Sequence, residues 1–366
     1  AVLDKNKSAM ELAKKGIMHF KEKDGKKNLK KALKKKIKFY SEPSSFISDS
    51  TVVITVGTPV DNFLNPDMRQ IKECIDSLIP YLKKGQLIIL RSTVYPGTSD
   101  WLYKYLFKKK KCDIAFCHER VIQGYTFDEI EKLPQIIAAS SKKALKRATL
   151  IFKKISKKIV YCSLKEAEFS KLFSNSFRYA QFAIANEFYM LADKAGLDFN
   201  KIRKITKDGY PRAESLPSAG FAAGPCLLKD TMQLLSFSRN NFSIGNSSML
   251  VNEGLVLYLI DKLETKYNLK SKNVGLLGMA FKAECDDTRS SLSYKMKKIL
   301  SAKVNKIYCT DPFVKTDKNL SSLDKTINNS NILIICVPHK KYKNLNLKNK
   351  EVIDIWGFIK KKWKKF

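Results

Sequence analysis

The first half of the chain alternates short apolar runs with longer amphipathic stretches. The apolar runs lie at 51–56, 86–92, 113–117, 134–140 and 158–162. Continuous apolar runs of this length, each followed by a helical stretch, are typical of parallel strands that helices cover on both faces. The pattern therefore predicts an α/β domain with a parallel sheet.

The strand pattern stops near residue 164 and returns near residue 273. A long stretch with apolar residues at helical spacing follows the first sheet, and Gly196 is expected to end that helix. A loop at 209–225, rich in Gly, Ala, Ser and Pro, interrupts the helical region. Further apolar runs predict a second parallel sheet, at 273–278, 305–312, 331–338 and 351–356. The predicted domains are 1–162, 163–268 and 269–366.

Open parallel sheets bind ligands at the carboxyl ends of their strands, so the residues after each strand are the first place to look for a site. These residues are polar or glycine-rich: Gly57-Thr58-Pro59, Ser92-Thr93, His118-Glu119, Gly278-Met279-Ala280-Phe281-Lys282 and Asp311-Pro312. Two sheets with such ends predict two nucleotide-like ligands that face each other across a cleft.

Cys226 is the candidate nucleophile among eight cysteines. The eight are scattered without a C-x-x-C pair, which indicates reduced thiols, and a lone cysteine is more often an inert buried one. Cys226 differs because it follows a small-residue loop and precedes Lys229 and Asp230, where positive charge can favour the thiolate. Lys171 and Asn175 share a face of the long helix. They either donate to a developing oxyanion or form a solvated surface.

The charge of the chain allows two interpretations. The formal net charge is +34, from 69 Lys and Arg against 35 Asp and Glu, and such an excess is found in proteins that bind nucleic acids or anionic membranes. However, only nine of these residues are arginines, and the basic runs at 26–38, 108–111 and 360–365 do not interleave aromatic residues. We therefore expect a solvated, lysine-rich surface and no specific nucleic-acid binding.

Length and hydropathy indicate a globular protein and not a membrane protein. The chain has 366 residues, 44% hydrophobic and 28% charged, as expected for a globular protein of two or three domains. No apolar run approaches the roughly 20 residues that a membrane helix needs, and the N-terminus does not resemble a signal peptide. We expect a cytoplasmic protein without membrane contact. The three histidines are too dispersed for a metal site.

Nine segments carry a resemblance over nearly the whole chain. In order, they are VGTPVDNFLNPDM, LRSTVYPGT, HERVIQG, LPQIIAAS, AEFSKLFSNSFRYAQFAIANE, YPRA, GFAAGPCLLKD, LLGMAFKAECDDTRSS and TDPFV. They resemble the UDP-glucose/GDP-mannose dehydrogenase family, whose members oxidise the C6 alcohol of a nucleotide sugar to a carboxylate in two NAD-dependent steps. The resemblance implies two Rossmann-like parallel sheets joined by a long helix and a helical middle domain.

The resemblance also assigns catalytic roles. Cys226 would form a thiohemiacetal and then a thioester, a covalent intermediate that keeps a reactive aldehyde from escaping. Lys171 and Asn175 would hold the oxyanion and position water, and Asp230 would assist as a polar partner or base. The hydrolytic water would be organised by Glu119 and Thr93.

Further residues would bind the two ligands. The UDP-sugar would contact Gly220, Lys229, Phe281 and Lys282, and Arg212 would reach the substrate of a neighbouring subunit. The NAD cofactor would contact Asp4, Thr58, Pro59, Ser92, Thr93 and Arg289.

Two departures from the family pattern affect this interpretation. Ala222, Ala223 and Pro225 stand where the family partly has glycines, which resembles a UDP-N-acetylhexosamine-like subgroup more than the glucose-specific type. The second departure is the absence of the G-x-G-x-x-G segment that cradles the cofactor pyrophosphate. The chain begins at what resembles the family's second strand, followed by Asp4. The first sheet is therefore expected to be N-terminally truncated, with NAD binding weaker than UDP-sugar binding.

The missing first strand leaves alternatives open. Strand two must leave a gap, pair with strand four directly, or stay unpaired. A fragment or gene-boundary product is one explanation, and a natural remnant that kept the sugar-binding half is the other. The function is then that of a nucleotide-sugar dehydrogenase or of a non-catalytic binding or interaction protein.

A homodimer is the expected assembly. The long helix carries a dense aromatic face that could form the interface, and core packing is the alternative explanation of this face. Its aromatic residues are Phe169, Phe173, Phe177, Phe182 and Phe188.

Overall fold

The computed structural model describes residues 1–49, 51–61, 63–347 and 350–359. The chain packs into two compact units. The first comprises Ala1–Ser174 and Met232–Asn240, and the second comprises Asn175–Thr231 and Asn241–Phe366. The basic run at 360–365 lies outside the described residues.

Strands and helices alternate through most of the first unit. Its strands are β1 (Val2–Leu3), β2 (Phe39–Tyr40), β3 (Val52–Ile54), β4 (Leu87–Leu90), β5 (Asp113–Phe116), β6 (Gln135–Ala139) and β7 (Ile159–Tyr161). Its helices are α1 (Lys7–Lys14), α2 (Gly25–Lys34), α3 (Arg69–Leu78), α4 (Thr98–Lys110), α5 (Thr126–Glu129) and α6 (Lys142–Phe152). Each apolar run predicted as a strand contains one of β3 to β7, which confirms the α/β pattern.

Strands β3 to β7 form one sheet in sequence order. β3, β4 and β5 are parallel, with Ile54 level with Leu90. β6 runs antiparallel to β5, with Ala115 opposite Ala139, and β7 is parallel to β6. The sheet thus differs from the predicted parallel one at a single strand pair. A parallel pair needs a crossover, usually a helix that packs on the sheet. The connection from β5 to β6 holds only the four-residue α5, so β6 enters in the opposite direction.

Strand β4 shows why this sheet is covered on both faces. All of its residues are buried. Ile88 and Leu90 pack with apolar residues of α3 and α4, while Leu87 and Ile89 pack with residues of α6 on the other face. Each buried Leu or Ile side chain contributes roughly 1.5–3 kcal/mol. The two-sided packing therefore fixes the strand and, with it, the start of the loop that follows Leu90.

Strands β1 and β2 form a separate parallel pair, with Val2 level with Phe39. Among the described residues, β3 pairs with β4 and not with β1. β1 is the strand that resembles the second strand of the family. One alternative is that it pairs directly with the family's fourth strand, which is β3 here, and this pairing is not formed between the described residues. Val53 in β3 is 46% exposed. β3 is an edge strand with an apolar side chain in water.

Helix α7 (Leu164–Lys194) is the predicted long helix, and it has residues in both units. A capping box begins it, because the Ser163 hydroxyl accepts the Glu166 N–H at 3.3 Å and the Glu166 carboxylate accepts the Ser163 N–H at 2.7 Å. At its end the Leu197 N–H bonds back into the last turn, and Gly196 has φ +70°. This Schellman geometry confirms that Gly196 ends the helix.

The second unit contains the second predicted parallel sheet. Its helices include α8 (Phe199–Lys207), α9 (Leu227–Phe237, which continues into the first unit), α10 (Ser243–Lys266), α11 (Leu292–Leu300) and α12 (Leu323–Asn329). Its strands β8 (Asn273–Leu277), β9 (Lys306–Thr310), β10 (Ile332–Ile335) and β11 (Glu351–Ile353) are all parallel, in the order β11-β10-β8-β9. Of the helices described in either unit, none has both the length and the apolar character needed to cross a membrane.

Helices cover this second sheet on both faces as well. Leu255 and Leu259 of α10 pack with Leu276 of β8 on one face. Leu277, the next residue of β8, belongs to a separate apolar cluster that includes Leu333 of β10. Successive residues of a strand point to opposite faces of the sheet, so this second cluster lies on the other face. The burial of β8 up to Leu277 fixes where the next loop begins.

Gly275 lies in the middle of β8 and has no room for a side chain. A Cβ there would lie 2.6 Å from the Leu333 side chain and 2.7 Å from the Ser330 hydroxyl. We predict that Gly275→Ala lowers the free energy of unfolding of the second unit by about 1–3 kcal/mol, because the strands must move apart. Urea denaturation followed by tryptophan fluorescence measures the change.

Gly254 provides the matched control, since it lies in α10 and a Cβ there would meet no atom within 4 Å. Gly254→Ala should raise the free energy of unfolding by roughly 0.5–1 kcal/mol, because Ala favours a helix over Gly. Equal stabilities of the two variants would contradict this account of the packing.

Candidate active site

Cys226 stands directly before α9, at the N-terminus of that helix. Its carbonyl oxygen accepts the Asp230 N–H at 2.9 Å, which begins the helical hydrogen bonding. The Cys226 side chain is exposed, whereas the other seven cysteines are half-buried or buried. A helix N-terminus carries a positive potential that favours an anion, so this position suits a thiolate nucleophile.

The remaining thiols lie in environments that disfavour the thiolate. Burial raises the pKa of each of them, to about 12 for Cys117 and about 11 for Cys309. A neutral thiol is a poor nucleophile. Among the described cysteines, Cys226 is thus the one with both exposure and a favourable electrostatic setting.

Arg289 adds positive charge near Cys226. Its guanidinium interacts electrostatically with Cys226, and it also forms a two-point ion pair with Asp287, at 2.6 and 3.0 Å. The Gly224 N–H donates to the Ser290 carbonyl at 3.3 Å, which holds the cysteine loop against this segment. The resemblance assigns Arg289 to the cofactor. The structure places it close to the candidate nucleophile of the second unit.

Two glycines let the cysteine loop approach its neighbours. Gly220 has φ +154°, and a Cβ there would lie 2.2 Å from the Trp356 ring. Gly224 has φ +106°, and a Cβ there would lie 2.5 Å from the Phe281 ring. Any larger residue at either position would push the loop away. Phe281, predicted to contact the sugar nucleotide, therefore packs directly against the loop that carries Cys226.

Asn175 and Asp230 form a buried pair between α7 and α9. The Asn175 amide donates to the Asp230 carboxylate with an Nδ2 to Oδ2 distance of 2.5 Å. The Asp230 side chain is fully buried, and the Lys229 ammonium lies 2.7 Å from its other oxygen. A buried carboxylate needs such compensation. The structure thus brings together three predicted site residues, of which Asp230 lies one helical turn after Cys226.

Lys171 lies one turn before Asn175 on α7 and belongs to the first unit. It interacts electrostatically with His118, whose ring is 2% exposed. Neither ring nitrogen of His118 has a hydrogen-bond partner among the described residues. Burial, followed by the charges of Lys171, Arg120 and Arg91, lowers the pKa of His118 to about 3. His118 is therefore a neutral imidazole next to Glu119. The sequence analysis placed it at a strand end but gave it no role.

Glu119 is held by several donors in the first unit. The Arg91 guanidinium pairs with one carboxylate oxygen, and the backbone N–H groups of Arg120 and Val121 donate to the other at 2.7 and 3.1 Å. Arg91 itself lies over the Phe152 ring, 5.0 Å from its centre. Sequence reasoning did not single out Arg91, although it stands directly before the predicted Ser-Thr pair.

That Ser-Thr pair follows β4, and hydrogen bonds tie it to the segment that follows β3. The Ser92 hydroxyl donates to the Val56 carbonyl at 2.6 Å, and the Thr58 hydroxyl donates to the Thr93 carbonyl at 2.5 Å. Pro59 follows Thr58 directly. The structure therefore brings these predicted cofactor residues together at one edge of the sheet.

Glu168 is a second residue that sequence reasoning missed. It lies on α7, one turn before Lys171, and is 1% exposed. Its two oxygens accept the N–H groups of Gly97 and Ser99 at 2.6 and 2.7 Å, which caps α4. Burial raises the pKa of Glu168, and these hydrogen bonds oppose the rise. Glu168 thus joins the loop after β4 to the helix segment that carries Lys171.

The first unit fits part of a dinucleotide. Asp4 follows β1, and its carboxylate accepts the Asn6 N–H at 2.8 Å while remaining exposed. An acidic residue after this strand fits the hydroxyls of an adenine ribose. None of the described segments of this unit contains a G-x-G-x-x-G turn. The residues present therefore fit the ribose end of NAD and not its pyrophosphate.

Lys282 and Arg212 are the two remaining cationic residues of the prediction. Lys282 lies in the loop after β8, with its ammonium 5.9 Å from the Phe281 ring centre. Arg212 is exposed in a short turn, where its guanidinium lies 4.5 Å from the Tyr210 ring centre. Its contact with a neighbouring subunit stays a prediction.

Comparison with known families matches nearly the whole chain. Residues 1–156 match the NAD binding domain of the UDP-glucose/GDP-mannose dehydrogenase family, residues 165–253 match its central domain, and residues 275–361 match its UDP binding domain. Three models of one family, matched in order, show that the chain belongs to the UDP-glucose/GDP-mannose dehydrogenase family. NAD is the cofactor that its first domain indicates.

Two curated relatives are similar to this chain over most of its length. A UDP-N-acetyl-D-mannosamine dehydrogenase of Methanocaldococcus jannaschii is 29% identical over 329 residues, which cover 86% of this chain and 77% of the relative. Another, from Pyrococcus horikoshii, is 28% identical over 367 residues, covering 94% of this chain and 86% of the relative. The resemblance to this family is thereby confirmed.

Solved structures confirm the fold. A UDP-D-ManNAc dehydrogenase from Pyrococcus horikoshii superposes with a TM-score of 0.86 at 26% identity, over 94% of this chain and 85% of that one. A UDP-glucose dehydrogenase from Pyrobaculum islandicum superposes with a TM-score of 0.87 at 22% identity, over 97% and 91% of the two chains. The second likeness shows a shared fold.

The lowered pKa of His118 predicts how the free energy of unfolding depends on pH. Its folded-state pKa of about 3 lies below the ordinary value of about 6.5, so the unfolded chain binds more protons between these pH values. The contribution of a neutral His118 is fully present above about pH 6.5 and is lost as the pH falls toward 3. We predict that His118→Phe flattens the dependence of unfolding free energy on pH in this window.

His19 is the matched control, because it is an exposed histidine of the same unit. His19→Gln should keep the wild-type pH dependence. Chemical denaturation at a series of pH values measures both slopes, and a His118→Phe slope equal to that of the wild type would contradict the burial of a neutral imidazole.

Proposed function

We propose that this protein oxidises the C6 alcohol of a UDP-N-acetylhexosamine to the uronate, with Cys226 as the covalent nucleophile. The observation that carries the proposal is the setting of Cys226: an exposed thiol at a helix N-terminus, near Arg289 and one turn from the buried Asn175–Asp230 pair. NAD, when bound, supplies the hydride acceptor for each oxidation.

The chemistry explains why a thiol is needed. Removal of a hydride and a proton from the C6 alcohol gives an aldehyde. Addition of the Cys226 thiolate to its carbonyl carbon gives an oxyanion, and protonation of that oxyanion gives a thiohemiacetal. Loss of a second hydride and of the hydroxyl proton converts the thiohemiacetal into a thioester. Water then attacks the thioester, the C–S bond breaks, and the carboxylate, the Cys226 thiol and one proton are released.

Asn175 is assigned to the oxyanion that forms when the thiolate adds, with Asp230 as its polar partner. One N–H of the Asn175 amide donates to Asp230, which fixes the plane of the amide and leaves its second N–H for the oxyanion. Lys171, one turn earlier on the same helix, is assigned to the same charge. Asp230 thus acts mainly by orienting Asn175.

Thr93 and Glu119 are assigned to the hydrolytic water. The pairing of Glu119 with Arg91 and with two backbone N–H groups holds it as an oriented acceptor. An oriented carboxylate can align a water molecule by accepting its hydrogen. Arg91 is then a positioning residue for Glu119.

The relatives support a UDP-N-acetyl-D-mannosamine-like substrate. The two curated relatives described above are UDP-N-acetyl-D-mannosamine dehydrogenases, and the cysteine loop with Ala222 and Ala223 departs from the glucose-specific pattern. In the proposal, Lys282 binds the anionic nucleotide and Arg212 reaches the substrate of a second subunit. Further contacts to the sugar nucleotide come from Gly220, Lys229 and Phe281.

Substitution of the nucleophile tests the proposed chemistry. Cys226→Ser should lower uronate formation from UDP-N-acetyl-D-mannosamine and NAD by at least about 100-fold, because the hydroxyl is a far weaker nucleophile. Its affinity for UDP should stay at the wild-type value. Chromatography of the products and calorimetry with UDP measure the two quantities.

Cys162→Ser is the control, because Cys162 is half-buried and its pKa is raised by burial. It should form uronate at the wild-type rate. Uronate formation by Cys226→Ser at that rate would exclude Cys226 as the nucleophile. A wild-type protein that binds UDP-sugar and forms no uronate would instead support the non-catalytic binding function.

We further propose that the protein is a homodimer. In the second unit, α7 exposes Phe177, Ile184, Phe188 and Leu191, and the first of these is 64% exposed. Their spacing of three, four and seven residues places them on one side of the helix. An exposed apolar face of this kind is typical of an interaction surface, and a second copy is the occupant we propose.

Charge introduced on this face should separate the subunits. Ile184→Asp is expected to shift the sedimentation coefficient of the protein from that of a dimer to that of a monomer, because burial of a carboxylate at an interface is unfavourable. Leu150→Asp is the control, since Leu150 is 59% exposed on α6. An unchanged dimer in Ile184→Asp would argue against this face as the interface.

A further inference from the structure

His339 and Asp311 form a fully buried pair at the carboxyl ends of the strands of the second sheet. The His339 Nε2 lies 3.1 Å from the Asp311 carboxylate, and neither side chain is exposed. Asp311 follows β9 and His339 follows β10. An acidic residue at a strand end commonly binds a ribose. The buried position of Asp311 points to a different use.

Backbone N–H groups occupy both oxygens of Asp311. One oxygen accepts the N–H groups of Met279 and Ala280 at 2.7 and 3.0 Å, in addition to the His339 ring. The other accepts those of Phe313 and Val314 at 2.8 and 3.0 Å. Although burial alone raises it, the hydrogen bond from His339 and those from the backbone N–H groups lower the pKa of Asp311 below its ordinary value. Asp311 is an anion that fastens two loops.

His339 extends the network to a third point. The Glu284 N–H donates to its Nδ1 at 3.0 Å, so Nδ1 carries no proton and Nε2–H donates to Asp311. Phe313 and Tyr342 pack edge-on against the imidazole, with ring centres at 5.2 and 5.6 Å. The ring orientation is therefore fixed by packing as well as by hydrogen bonds.

The backbone positions that Asp311 and His339 hold lie on both sides of the two residues assigned to the nucleotide. Met279 and Ala280 precede Phe281-Lys282, and Glu284 follows them. Each of these three contributes a backbone N–H to the Asp311–His339 pair. We infer that Asp311 and His339 are positioning residues that set the affinity for the UDP part of the substrate by fixing the Phe281-Lys282 loop. This inference rests on the proposed function.

The test compares UDP affinity with fold stability. His339→Leu removes both hydrogen bonds of the ring at similar volume and should weaken UDP binding about tenfold or more, since bonds to a charged group are among the stronger ones. His339→Gln keeps a donor that can reach Asp311 and should fall between His339→Leu and the wild type. Calorimetry with UDP gives the affinities, and urea denaturation gives the stabilities.

Ile332→Val is the matched control, because Ile332 is buried at the opposite end of β10. It should lower stability and leave UDP affinity unchanged. A role in folding alone predicts that affinity falls with stability in all three variants, and that result would overturn the inference. If His339→Leu fails to fold, the UDP affinities of His339→Gln and Ile332→Val are compared instead. A weaker affinity in His339→Gln supports the inference, and equal affinities overturn it.

Two further outcomes are separable. A wild-type protein that does not bind UDP would overturn the proposed function together with this inference, whereas UDP binding that is equal in the wild type and His339→Leu would overturn the inference alone. The chain has three histidines, so nitrogen-detected NMR can identify the His339 tautomer at about pH 8, where histidine is mostly neutral. A proton on Nδ1 would contradict the network.

Discussion

Carboxylates that accept backbone N–H groups hold the loops at the carboxyl ends of the strands. Glu168 does so for the loop after β4, Glu119 for the loop after β5, and Asp311 for the loops after β8 and β9. Removal of an anion from water is unfavourable unless several donors meet it. Here the donors are N–H groups that no helix or sheet ladder reaches. One side chain therefore satisfies several backbone groups and fixes a loop.

The donors around each carboxyl oppose the effect of burial on its pKa. Glu168 accepts two N–H groups, and burial still raises its pKa. Asp311 accepts four N–H groups and the His339 ring, and its pKa falls to about 2 despite equally deep burial. The loop assigned to the nucleotide is thus tied to a carboxyl whose pKa is lowered, whereas the loop before α4 is tied to a carboxyl whose pKa is raised.

Sequence patterns predicted those features that depend on neighbours along the chain. The apolar runs located the strands of both sheets, Gly196 marked the end of α7, and the context of Cys226 singled it out among the cysteines. The direction of β6 was missed because it depends on how a long connection folds. Arg91 and Glu168 were missed because their partners lie 28 and about 70 residues away in sequence, a distance at which no local pattern carries a signal.

The contact between Gly224 and Phe281 also limits how this chain can change through evolution. The ring lies where a Cβ on Gly224 would have to be, and the φ of +106° at Gly224 strains any residue with a side chain even where space is made. Position 224 is therefore restricted to glycine, whichever residue stands at position 281. The cysteine loop keeps its close approach to the loop after β8 only through this glycine, so homologues should retain Gly224 even where residue 281 differs.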